Sequence, residues 1–209
     1  MSRRLVVLDT IIKHSKSENK NILIVGAPRS GTHALASSIK YQDTTLQYLG
    51  EIGIIQHTEQ PWQDLNQFYN NTPRKLAHVV QSCTKIFGLL KLSQVKQHTL
   101  IVEIRRRDKV KQFASWMFFK KIGAIYNFQH DGQDYMPPGA ITATLNDIEL
   151  FMIDQIIDYS FNPDYILYYE ELLFDQSQIK KNYYVYPIEQ VFSNLNLVKE
   201  YLENWKYND

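Results

Sequence analysis

Apolar positions recur along this chain with two periods, and the changes of period mark its elements. Leu5, Leu8, Ile11 and Ile12 share one face of a helix expected over residues 4–15, and polar residues 15–20 lead out of it. Ile22, Leu23, Ile24 and Val25 form an unbroken apolar run, the pattern of a strand buried on both faces. A loop carrying Gly26, Pro28 and Gly31 follows, and helical spacing resumes over residues 31–41 before the polar turn 42–45. Residues 46–55 are apolar but broken by glycine, which fits a loop or short strand close to the preceding loop.

Farther along, Trp62, Leu65 and Phe68 predict a covering helix over 60–71, ended by Asn70, Asn71, Thr72 and Pro73. Residues 76–82 suit a helix or a strand, and 84–90 are more strand-like. Residues 99–105 are a clear strand, and 108–127 are the longest helical run, with Asp108 placed to cap it. Gly132, Pro137, Pro138 and Gly139 make 131–139 a loop. A second long helix is expected over 142–160, a strand over 165–169, a helix from about Glu170 and a largely helical tail from Pro187.

Strands alternating with helices predict one α/β domain over residues 1–209, a three-layer open sheet, mainly parallel and flanked by helices, of P-loop NTPase-like type. Ligands of such sheets bind beyond the carboxyl ends of the strands. Residues 26–33, 105–107 and 168–171 all fall at such ends, where they can meet in one cleft.

Composition changes this picture little. The 209 residues suffice for a sizeable core, and fourteen tyrosines and ten phenylalanines belong to a packed chain rather than a disordered one. A net charge of +1 gives no bulk attraction to nucleic acid or anionic membrane. A single cysteine, Cys83, excludes an internal disulfide and a cysteine-based zinc cluster and fits a reducing, intracellular setting. Asp9 breaks the first apolar run after four residues, too early for a signal-peptide core, and no stretch approaches a membrane span. The expectation is a cytoplasmic protein without a membrane anchor. His14, His78, His98 and His130 have no metal-ligand spacing and read as structural or surface residues, so no metal is expected.

Chemistry concentrates in the loop Gly26-Ala27-Pro28-Arg29-Ser30-Gly31-Thr32-His33. Strand, glycine-bearing loop and helix in that order build an anion cradle, because backbone N–H groups and the helix N-terminus both point at the ligand. Arg29 and the hydroxyls of Ser30 and Thr32 add donors. A nucleotide-triphosphate loop needs Gly, four residues, then Gly-Lys-Ser/Thr. Here Gly26 and Gly31 have that spacing, yet Thr32 follows Gly31 directly and the cation sits inside the loop. The strand over 99–105 ends in Arg105-Arg106-Arg107 where a magnesium-using enzyme often carries an aspartate, so a second anionic group is expected there with no metal between.

The loop resembles the phosphosulfate-binding loop of sulfotransferases, which use 3′-phosphoadenosine 5′-phosphosulfate (PAPS) as donor and release adenosine 3′,5′-bisphosphate (PAP). Arg107 and, eight positions later, Ser115 are similar to the 3′-phosphate-binding signature of that family. Tyr168-Tyr169-Glu170-Glu171-Leu172 resembles the family segment whose tyrosine lies near adenine, which implies that role for Tyr169. The resemblance covers three anchors between residues 22 and 172. It departs from many cytosolic members in lacking a C-terminal Arg-Lys-Gly, for which Lys180 and Lys181 are the nearest substitute, and the chain looks like a short bacterial- or phage-type member.

The resemblance implies sulfuryl transfer to a hydroxyl or amine of a small-molecule, glycan or peptide acceptor, by in-line displacement and without metal. Arg29, the N–H groups of Ser30, Gly31 and Thr32, and His33 would hold the transferred group. Glu51 is the first choice for the base, Gly50 before it allowing close backbone approach, and His57 is the second. Lys85 and Lys91 are candidate leaving-group contacts. Trp116 to Phe119 and Tyr183 to Tyr186 could line an acceptor pocket, with core packing the more ordinary use. A P-loop nucleotide kinase or NTPase and a non-catalytic nucleotide-binding module are the alternatives.

Overall fold

The computed structural model describes residues 3–51, 73–80, 96–118, 120, 141–155, 162–172 and 191–205. Expected elements at 60–71, 84–90 and 131–139 lie outside the described residues. So do His57, Cys83, Lys85, Lys91, His130, Lys180, Lys181 and the tyrosines at 183, 184 and 186.

In chain order the elements are α1 (Arg3–Ser17), β1 (Asn21–Gly26), α2 (Thr32–Gln42), β2 (Gln47–Glu51), β3 (Lys75–Val80), β4 (Thr99–Arg105), α3 (Lys109–Phe118), α4 (Leu145–Asp154), β5 (Tyr165–Tyr168), a 3-10 turn (Tyr169–Glu171) and α5 (Leu195–Glu203). The protein is α/β, with one five-stranded sheet, all parallel, in the order β2-β3-β1-β4-β5, flanked by helices. The ambiguous stretch 76–82 is strand as far as Val80, and the glycine-broken stretch after Leu46 is the edge strand β2.

The chain divides into two compact units: Met1–Arg105 with Ile157–Phe174, and Arg106–Ile156 with Asp175–Asp209. In the first unit, Ile22 and Ile24 of β1 pack with Leu76, Val102 and Ile104 against Leu8, Ile11 and Ile12 of α1 and Leu35, Ala36 and Ile39 of α2. Residues of opposite parity, Leu23, Val25 and Ile101, are equally buried, so the central strands are covered on both faces. That double burial is why β1 and β4 read as continuous apolar runs rather than alternating ones.

The amino-terminal edge of this sheet is tied by polar groups. Arg74 donates to Ser15 Oγ at 2.6 Å and to Asp43 Oδ2 at 2.9 Å, and the Lys75 backbone N–H donates to Asn21 Oδ1 at 2.8 Å. Asp43 is buried, which by itself would raise its proton affinity. Hydrogen bonds from Thr45 and Arg74 outweigh that and hold the carboxyl below its ordinary range.

The second unit has its own core, in which Phe113 stacks on Trp116 and Phe192 and meets Phe151 edge-on. Trp116 and Met117 are thus core residues rather than pocket lining. Asp108 Oδ1 accepts the Lys111 N–H at 2.9 Å and caps α3 as its position suggests. The helix expected from residue 142 begins instead at Leu145. Ile141 pairs with Phe192 in an isolated parallel bridge, and Thr144 forms a reciprocal capping box with Asp147. Such a box satisfies two otherwise orphaned N–H groups at once, which selects Thr144 over Thr142 as the start. Within the described residues the segment after β5 is a single 3-10 turn and the tail contains the helix α5.

Candidate functional site

Because every strand is parallel, Glu51, Val80, Gly26, Arg105 and Tyr168 end their strands on one edge of the sheet. From the central β1 the chain first builds β2 and β3 on one side, then β4 and β5 on the other. That reversal makes the β1 end the switch point at which open α/β sheets bind ligands. The loop from Gly26 to Thr32 stands there.

Its conformation follows from its residues. The Ser30 N–H donates to the Ala27 carbonyl at 3.1 Å, closing a four-residue turn with Pro28 second and Arg29 third. Proline presets the second position, and Arg29 has φ +65°, as the third position of a type II turn requires. A left-handed conformation is uncommon for a residue other than glycine and collects at functional sites. Gly26 tolerates no side chain, since an added Cβ would meet Ser30 Oγ and, at 2.8 Å, the Ile104 carbonyl. Gly31 has φ +109° and lies under the Tyr169 ring, whose Cε2 an added Cβ would meet at 2.9 Å.

Two features of this loop suit an anion. Gly31 is the N-cap of α2 and makes no side-chain cap, and the first N–H groups of α2 have no carbonyl one turn earlier to bond. The Ser30 hydroxyl is 1% exposed and has no hydrogen-bond partner among the described residues, which a buried donor rarely lacks. The Ser30 N–H, by contrast, belongs to the turn, so the contribution of Ser30 to a cradle is its hydroxyl and not its backbone. Helix N-terminus, orphaned hydroxyl and half-buried Arg29 fit a tetrahedral oxyanion such as phosphate or sulfate.

Beside the loop, three elements bring together four more side chains. His78 on β3 is buried, and its Nδ1 lies 3.0 Å from the Tyr48 hydroxyl of β2. Its Nε2 is 3.7 Å from a Glu51 carboxylate oxygen at the end of β2. His33, in the first turn of α2, presents its ring 5.4 Å from that of His78, edge to face. A β-bulge produces this meeting. Tyr48 pairs with Leu76 but Gly50 with Ala77, so Leu49 is an extra residue and Glu51 stands opposite His78. Regular alternation would put Tyr48 and Glu51 on opposite faces. The bulge puts both on the face of His78, which is also the face of Ile24 and α2.

The glycine at 50 serves this bulge. It has φ +84°, and a Cβ there would meet nothing within 4 Å, so backbone conformation and not close approach is what requires glycine. Loss of solvent around the His33 ring, then the neighbouring His78 and Arg29, hold His33 below its ordinary range, with Glu51 opposing. Burial, with the charge of Glu51, pushes Tyr48 up to about 12, so its phenol stays protonated.

The structure therefore gathers Arg29, Ser30, Gly31, Thr32, His33, Glu51 and Tyr169 on the loop and strand ends of the first unit. Arg105 ends β4 but is held by Glu103, with Nε 2.7 Å and Nη2 3.2 Å from its carboxylate oxygens. Arg107 and Ser115 belong to the second unit, where Arg107 is exposed just before α3 and Ser115 is buried within it. His78 is the functional candidate that the sequence pattern misses. Among the described residues no group of three or more His, Cys, Asp or Glu side chains could hold a metal ion, and no helix is long and apolar enough to cross a membrane.

Comparison of the chain with protein-family models, with curated proteins and with solved structures finds no match.

Proposed function

We propose that this chain is a sulfotransferase that binds PAPS at the β1–α2 loop and transfers the sulfuryl group to a hydroxyl or amine. The observation that carries the reading is the loop itself. It joins a helix N-terminus, a buried Ser30 hydroxyl with no partner among the described residues and the cationic Arg29, groups whose chemistry suits one oxyanion, with Glu51 at the end of the edge strand. The donor supplies an activated sulfur whose leaving group is a phosphate. Arg29, Ser30 Oγ and the first N–H groups of α2 neutralise the oxygens around the reacting centre. Glu51 takes the acceptor's proton as the new S–O or S–N bond forms and the bond from sulfur to the 5′-phosphate oxygen breaks, and PAP departs.

Arg107 and Ser115 are assigned to the 3′-phosphate, and Tyr169 to adenine, on the family resemblance of their segments. The nucleotide kinase reading has less support. On β3 and β4, the strands beside β1, the one acidic residue among those described is Glu103, which is already bonded to Arg105.

Transfer from PAPS to a panel of hydroxyl and amine acceptors, with wild type and Arg29→Ala, tests the proposal. Transfer by the wild type that falls on the order of a hundredfold in the variant is the expected result. Magnesium-dependent ATP turnover without sulfuryl transfer would overturn it.

A further inference from the structure

The bulged ladder between β2 and β3 does more than place Glu51 at the strand end. It seats Tyr48, His78 and Glu51 on one face in a chain of contacts, phenol to Nδ1 at 3.0 Å and Nε2 to carboxylate at 3.7 Å. We propose that half-buried Tyr48 and buried His78 form a positioning pair for Glu51. The phenol donates to Nδ1, the ring proton stays on Nε2, and Nε2–H faces the Glu51 carboxylate at 3.7 Å, an electrostatic contact longer than a hydrogen bond that orients it at the end of β2. This rests on the reading of Glu51 as the base.

The tautomer follows from what each atom faces. A neutral imidazole has one donor and one acceptor nitrogen. With the proton on Nδ1, the bare Nε2 lone pair would face the carboxylate, acceptor against acceptor. With the proton on Nε2, both contacts are attractive. The protonated Tyr48 phenol supports its part as the donor. Around the chain, His33 of α2 meets the His78 ring edge-on, and Arg29 of the loop acts on His33. No other strand position puts a hydrogen-bonding side chain between Tyr48 and Glu51 in the ladder, since the partners of β2 are Lys75, Leu76, Ala77 and His78. His78 therefore acts through Glu51 and needs no contact with donor or acceptor.

Nitrogen-15 shifts of the imidazole in the ligand-free protein test the pair directly. At pH 8, Nδ1 should be bare and Nε2 protonated, and Tyr48→Phe should shift the Nδ1 resonance through loss of its hydrogen bond while Glu51 keeps the proton on Nε2. A wild-type Nδ1–H tautomer overturns the proposal. This measurement needs no ligand, so it judges the pair even where binding of PAP fails and the sulfotransferase reading falls. The kinetic arm separates positioning from mere structure. His78→Leu should lower kcat about a hundredfold through misplacement of the base, with PAP affinity unchanged. His78→Gln, which keeps an N–H donor, should recover part of the loss, and Tyr48→Phe should show a smaller loss of the same kind. Unchanged kcat, or equal losses of PAP affinity and kcat in both His78→Leu and Tyr48→Phe, would contradict it.

Discussion

Glu51 stands directly opposite His78 in the β2–β3 ladder, its carboxylate 3.7 Å from the imidazole Nε2, because Leu49 drops out of the pairing. One extra residue thus brings the carboxylate of an edge strand into a polar cluster with Tyr48, His78 and His33. Deleting Leu49 should leave Tyr48, Gly50 and Glu51 in regular register with Leu76, Ala77 and His78, so Glu51 stays on the face of His78 without a bulge. Transfer and PAP binding are then both expected to persist, whereas Glu51→Gln loses transfer and keeps PAP binding. Parallel measurement of turnover and calorimetric binding on the two variants checks this.

Glu51→Gln keeps shape and removes the proton acceptor. Loss of a general base reduces turnover by about 10²- to 10⁴-fold. Single-turnover transfer with preloaded donor should show that loss with PAP affinity intact. Undiminished turnover would remove Glu51 as the base.

Arg29 carries charge at φ +65°, so its roles in folding and binding should separate. Arg29→Gly relieves a left-handed conformation that disfavours side chains by about 1–2 kcal/mol, offset in part by glycine's chain entropy of about 0.5–1 kcal/mol. A gain of roughly 0.5 kcal/mol in stability is expected by denaturant unfolding. Affinity for PAP should fall about tenfold or more through loss of charge-assisted bonds.

Gly31→Ala moves stability the other way. Its Cβ would enter the Tyr169 ring at a φ of +109°, and strain of this kind is worth about 1–3 kcal/mol. Thermal unfolding should move down, and the anion site should be lost with it.

His33 gives the loop a pH signature. Its folded proton affinity is held below the ordinary value of about 6.5, so the unfolded chain binds the proton first as pH falls. Stability should therefore decline as pH drops from about 6.5 towards the lower folded value, a slope that His33→Asn removes. An oxyanion in the cradle would reverse the depression. Binding near pH 6 should accordingly take up protons, seen as a dependence of calorimetric enthalpy on buffer ionisation enthalpy that is absent in His33→Asn.

Much of this site was legible because its signals are local. The run Ile22 to Val25, the turn chemistry of Pro28 and the glycines at 26 and 31 lie within ten residues, and the structure shows strand, turn and helix where the pattern puts them. Long-range pairing was not legible. His78 sits among Leu76, Val79 and Val80, a pattern that suits a helix or a strand, and its importance arises from a β2 partner 30 residues away. The bulge at Leu49-Gly50 reads in sequence only as a break. The helix α4 starts three residues beyond the expected position because Thr142 and Thr144 are equally good caps by sequence, and Ile141 is held in its bridge with Phe192.

The most direct measurement of the central claim is calorimetric titration of the protein with PAP, AMP and ATP under one set of conditions, without added metal. The account predicts that PAP binds at least about tenfold more tightly than AMP, one extra charge-assisted phosphate contact being worth that much. The preference should disappear in Arg107→Ala. PAP binding no tighter than AMP, or ATP binding best and only with magnesium, would contradict it.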